Sequence, residues 1–164
     1  MIMMIYHGAE KVTRRILKMI EELIPEKLFN VFKNHQLAFK DVLERIELVT
    51  DVKKIVSDGE LDFYLKQPTY DAENLLWKDT PKEETVKHLN EVKKLISPLI
   101  NFSAENIKEI LWDYASEEGR GSVLWPLRYS LSGRDKSPDP FLIASVIGVE
   151  ETLNRIDYAI EVLK

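Results

Sequence analysis

The segment TPKEETVKHLNEVKKLISP, residues 80–98, carries the clearest helix signature in the chain. Thr80 is a favourable N-cap, Pro81 suits the first helical position, and Glu83, three residues after Thr80, completes a capping box. Val86, Leu89, Val92, Leu95 and Ile96 then recur at helical spacing until Pro98 closes the run. These features predict a helix with one apolar face and a boundary between residues 79 and 80.

The same spacing repeats on both sides. Upstream, Val12, Ile16, Met19, Ile20 and Leu23 predict a helix over residues 10–24 that Pro25 ends. Residues 27–56 carry Leu28, Phe29, Phe32, Phe39, Leu43, Ile46 and Val49 as one long helix or two shorter ones, with Asn34 and His35 as the candidate break. Ser57, Asp58 and Gly59 are turn formers, and the stretch to Tyr70 includes Pro68 and reads as loop. Asp71 is positioned to cap a short helix over 71–78 that buries Leu75, Leu76 and Trp77.

Downstream, Ser103 is placed to cap a helix with Ile107, Ile110, Leu111 and Tyr114 on its inner side, and Gly119 and Gly121 break the pattern. Residues 122–131 form the next helix, with Pro126 expected in its first turn. Asp139 and Pro140 open a further helix, and Gly148 separates it from a last one over 150–163. No alternating pattern of a strand occurs, so the expected class is all-α. Every segment reads as helix plus connector, without repeats or low-complexity tracts.

Composition narrows the function classes. The chain has 164 residues, 45% hydrophobic, enough for one domain or two small helical subdomains. It contains no cysteine, which excludes disulfides and thiolate-bound zinc and points to the cytoplasm. The apolar run at residues 1–5 is shorter than the roughly 7–15 residues of a signal sequence or the ~20 of a membrane span. The net charge of -5 argues against wrapping a nucleic-acid duplex, yet is compatible with reading a few unstacked bases.

Catalytic and metal chemistry find no residues to rest on. His7, His35 and His88 lie far apart, without the spacing of a helical zinc site, and are expected on the surface. Adjacent carboxylates such as Glu83 and Glu84 point in different directions on a helix. Gly119 and Gly121 lack the rest of a dinucleotide loop, and no Gly-Lys-Ser/Thr sequence occurs. Neither a catalytic residue nor a cofactor is assigned.

Residues 123–140, VLWPLRYSLSGRDKSPDP, differ from everything else by interleaving aromatics, prolines and three cations. A helix that ends in an Arg- and Lys-bearing, proline-stiffened loop offers guanidinium forks to base edges and phosphates at a small ordering cost. The plain alternative makes Trp125 and Leu127 core residues, pairs Arg128 with an acid, and leaves the loop as a connector.

Read as strings, LWPLR (124–128), LSG (131–133), Ser137 with Pro138, and GVEETLNRI (148–156) resemble the end of the anticodon-binding region of glutamyl-tRNA synthetases. QPTYDAENLLWK (67–78) resembles the passage between that region's two bundles, and the likeness extends over roughly residues 39–159. The resemblance implies a two-part helical cage of the class I synthetase type, residues 1–79 and 80–164, that receives the anticodon loop of tRNA(Glu). In the family, the arginine of the LWPLR-like helix and the Ser/Thr-Pro step lie at the unstacked bases; their counterparts are Arg128, Ser137 and Pro138. Arg134 and Lys136 join the candidates on charge, as phosphate contacts. Pro140, followed by Phe141, departs from the aliphatic residue many relatives carry there and completes the set.

The HIGH-like and KMSKS-like ATP motifs of the family's catalytic domain are absent from the 164 residues, so aminoacylation and ATP are not expected of this stretch. The expected partner is the tRNA(Glu) anticodon arm, bound by a cytoplasmic monomer, with neither DNA nor a membrane involved. The rival reading is a helical protein-interaction module on the same scaffold, suggested by the acidic total and the poorly matched first forty residues.

Overall fold

The computed structural model describes residues 22–44 and 49–164, all helix and connector with no strand among them. The helix expected over residues 10–24 lies outside the described residues except for its last three positions, as do His7 and Ile46. The chain forms two compact units, Met1–Leu65 and Lys66–Lys164.

In the first unit, α1 (Glu26–Asn34) and α2 (Gln36–Glu44) are separate helices. His35, at φ -129° and ψ 79°, makes the expected break, and its N–H turns back to Phe32 O at 3.2 Å. α3 (Val49–Ser57) follows, and the chain turns through one 3-10 turn, Asp62–Tyr64. Phe32 packs against Phe39 and Tyr64, with ring centroids 5.7 and 5.6 Å away. Of the expected apolar set Leu28, Phe32 and Phe39 are buried while Phe29 and Leu43 are half-buried; Val42, Val52 and Leu61 complete this core.

The second unit is built on α4 (Lys82–Ile96), α5 (Ala104–Glu118), α6 (Arg120–Ser132) and α7 (Pro140–Leu163), each packed on the others. The expected helix at 71–78 shrinks to one 3-10 turn, Ala72–Leu75, because Leu76 is extended (φ -83°, ψ 133°). Asn74 Oδ1 accepts from Asp71 N–H, and Leu75 is fully buried, which ties this segment to α6 and α7. The start signal at Thr80 therefore lies inside a unit that begins at Lys66.

Four local expectations are corrected. Pro81, at φ -61° and ψ 153°, occupies the cap position itself, and the Thr80 hydroxyl pairs with Ser122 Oγ at 3.2 Å instead of capping α4. The buried stripe of α4 is Thr85, His88, Leu89, Val92 and Ile96, rotated from the purely apolar set by two polar residues that find partners inside. Gly121 lies within α6, and Pro126 is the seventh residue of that helix, so Ser122 O has no N–H to receive at that position. Two caps and one break follow expectation: Ser103 Oγ accepts from Asn106 N–H, Asp139 Oδ1 accepts from Phe141 N–H, and Gly148 breaks α7 at φ 84° and ψ 169°.

Candidate nucleic-acid interface

The last turn of α6 and the loop to α7 are held by side chains that bond to backbone. Gly133 ends α6 in the left-handed region, φ 65° and ψ 20°, with its N–H on Tyr129 O at 2.8 Å. Ser132 Oγ donates to Arg128 O at 2.8 Å and accepts from Arg134 N–H at 3.2 Å. Arg128 Nη1 reaches across the loop to Ser137 O (2.6 Å), Ser137 Oγ (3.0 Å) and Pro138 O (2.9 Å). Its Nε and Nη2 make no hydrogen bond, and no carboxylate pairs with it, among the described residues. A half-buried guanidinium balanced by carbonyls and a hydroxyl keeps its full charge and three of its five N–H donors.

Five rings run beside this helix end. Trp77, Trp125, Tyr129, Tyr70 and Tyr158 follow one another with centroids 5.3, 5.6, 6.0 and 5.6 Å apart. Trp125 Nε1 donates to Asn74 O at 2.9 Å, which fixes the 66–79 segment on α6. Burial pushes the Tyr70 phenol well above its ordinary range; Tyr158 adds to the shift and Arg155 opposes it. The Tyr129 phenol is raised as well, by burial and then by Asp135, with Arg134 opposing.

Residues 9–160 match the family described as the anticodon binding domain. The chain belongs to that family. It is 35% identical over 125 residues to the glutamate–tRNA ligase of Clostridium botulinum strain Hall, an overlap of 73% of this chain and 25% of that protein. The ligase of Lachnoclostridium phytofermentans is 32% identical over 153 residues, 89% of this chain and 30% of the other. Among solved structures, a glutamate tRNA ligase from Elizabethkingia meningosepticum CCUG26117 superposes with a TM-score of 0.63 at 32% identity, over 92% of this chain and 28% of its own. The chain thus spans about a quarter to a third of the length of these relatives and is an anticodon-binding domain of the glutamyl-tRNA synthetase kind.

Within the anticodon-binding domain, the structure brings Arg128, Ser137 and Pro138 together in one hydrogen-bonded unit. Arg134 and Lys136 share their loop, Lys136 exposed and Arg134 half-buried. Pro138 and Pro140 are buried, the latter as the first residue of α7, so both brace the loop from inside. Leu127 is core, as the plain alternative held, while Arg128 has loop carbonyls where that alternative gave it an acid.

Sequence reasoning passed over Ser132, Arg155 and the ring row. The i, i+4 spacing of Glu151 and Arg155 was a readable signal for an ion pair, but not for the burial of its arginine. His88 corrects the surface expectation: it is fully buried, with Nδ1 2.7 Å from Tyr114 Oη and Nε2 3.5 Å from Glu84 Oε1. No group of three or more metal-ligating side chains occurs among the described residues, and none of their helices is long and apolar enough to cross a membrane.

Proposed function

We propose that this domain holds the anticodon arm of tRNA(Glu), with Arg128 and residues 134–138 at the unstacked bases. The observation that carries the reading is the state of Arg128: a guanidinium without a carboxylate, tied to the loop through Nη1 alone. Splayed anticodon bases offer hydrogen-bonding edges and the backbone offers phosphates, and a preorganised cation with unused donors suits both. Lys136, exposed on the same loop, supplies phosphate attraction despite the acidic total. All six candidate residues, Arg128, Arg134, Lys136, Ser137, Pro138 and Pro140, fall in the unit Lys66–Lys164, and the domain acts as a cytoplasmic monomer without a cofactor of its own.

Fluorescence anisotropy with a labelled tRNA(Glu) anticodon stem–loop tests this against the same stem closed by an unrelated loop. Arg128→Ala is expected to weaken binding about tenfold or more, the scale of one charge-assisted hydrogen bond. Affinity should also fall as salt rises, because Lys and Arg contacts release counterions. A variant that binds like the parent removes Arg128 from the site, and salt-independent binding removes the Lys and Arg contacts to phosphate from the reading.

A further inference from the structure

We propose that Arg155, buried inside α7, is the positioning residue of the RNA-binding loop, a role that rests on the reading of the previous subsection. Arg155 is 1% exposed, and its guanidinium donates from Nε to Glu151 Oε1 at 2.7 Å and from Nη1 to Leu131 O at 2.6 Å. Leu131 O belongs to the last turn of α6, where carbonyls have no helical donor. Three neighbouring carbonyls are served individually: Arg128 O by Ser132 Oγ, Tyr129 O by Gly133 N–H, and, at 3.5 Å, Ser130 O by the Tyr70 hydroxyl. Arg155 supplies the donor for Leu131, two residues before the loop begins, and its cation also complements the negative end of the helix dipole.

Stability does not explain an arginine here. Burying a guanidinium costs desolvation that an apolar residue of the same volume does not incur, and its partner Glu151 is partly exposed, so the side chain is better explained by geometry it imposes. The geometry is that of two guanidiniums in series. Arg155 fixes where α6 stops, Ser132 and Gly133 turn the chain, and Arg128 fixes where the loop returns. Without the first clamp, the second closes on a loop whose origin is free to shift, and the unused donors of Arg128 lose their registration with the RNA.

The test uses the 164-residue chain with Arg155→Met, Arg155→Lys and, as a control that only loosens the core, Val92→Ala. Amide exchange in the free protein and stem–loop affinity are measured at a temperature where each variant is folded. Arg155→Met is expected to speed exchange across residues 132–137 while α4 keeps its protection, and to weaken RNA binding about tenfold. Arg155→Lys, which keeps a cation, recovers part of both, whereas Val92→Ala lowers the melting midpoint and changes neither. Parent-like loop exchange and affinity in Arg155→Met overturn the proposal, as does a loss of protection spread evenly over α4, α5, α6 and α7 and not concentrated at residues 132–137. Should Arg155→Met not fold, Arg155→Lys decides by the same readings: faster loop exchange with weaker binding supports the role, and parent-like behaviour overturns it. If the parent itself does not bind the stem–loop, the functional reading fails, and loop exchange still decides whether Arg155 holds the loop.

Discussion

Helix α6 begins and ends in different ways. At its beginning the backbone of Gly121 lies against the Nε1 edge of the Trp77 indole, so closely that any Cβ at position 121 would overlap it. Trp77 in turn packs on Trp125 one turn further along. At its end the contacts are directional: Arg155 on Leu131 O, Ser132 on Arg128 O and Arg134 N–H, and Arg128 on Ser137 and Pro138. Shape-fitted rings hold a helix by close but non-directional contact, whereas bonds to individual carbonyls define a backbone position and leave donors over for a ligand. The first end is scaffold and the second carries the candidate site, and the difference between them can be broken by experiment.

The largest effect is expected at the polar end. Gly133→Ala forces a Cβ into the left-handed region and brings it within 2.7 Å of Pro68 Cβ, a ring atom with little freedom to retreat. The strain and overpacking together are expected to cost about 3 kcal/mol. Chemical denaturation should show that loss, and stem–loop affinity measured on the folded fraction should fall as well, since the loop starts at this residue.

Gly121→Ala is the matching change at the packed end. Displacing Trp77 is expected to cost about 2 kcal/mol, partly offset by the better helix propensity of alanine, for a net of about 1 kcal/mol. The indole emission should shift as the ring moves, with RNA affinity unchanged. Equal losses of affinity in the two variants would show that both ends serve the interface, and the contrast drawn between them would be wrong.

How much of this was readable depends on whether a partner is near in sequence. The break at His35, the caps at Ser103 and Asp139, and the interruption at Gly148 are matters of local backbone chemistry, and each stands where residue type placed it. Thr80 failed as a cap because its hydroxyl found Ser122, and His88 went inside because Tyr114 on the next helix received it. Nothing within a few residues of either announces that partner. In the site, the resemblance of LWPLR and Ser-Pro pointed to Arg128, Ser137 and Pro138, which the fold joins. Arg155 stayed hidden for the opposite reason, since arginine is among the residues least expected in a core and a motif match does not reveal burial.

The smallest effect concerns Tyr70, whose ring belongs to the packed row while its hydroxyl serves the polar end. Its phenol is held above the ordinary value of 10.0, chiefly by burial and then by Tyr158, against the pull of Arg155. The unfolded chain therefore releases this proton first as pH rises. The stabilisation from the neutral phenol is complete below pH 10 and declines above it, by up to about 1.4 kcal/mol per pH unit until the folded phenol also ionises. Tyr114 and Tyr129 are raised too, so the parent should lose stability with a slope to which all three contribute. Tyr70→Phe keeps the ring and removes one ionisation, so denaturation midpoints from pH 9 to 11 should fall less steeply than in the parent. At pH 7 the change should be slight, because the bond to Ser130 O is long, at 3.5 Å. A large loss at pH 7 would instead mean that the hydroxyl is a structural member of the polar end, equal in weight to the guanidiniums. An unchanged alkaline slope would mean that Tyr70 is exposed to solvent and that the packed row is looser than its ring spacing implies.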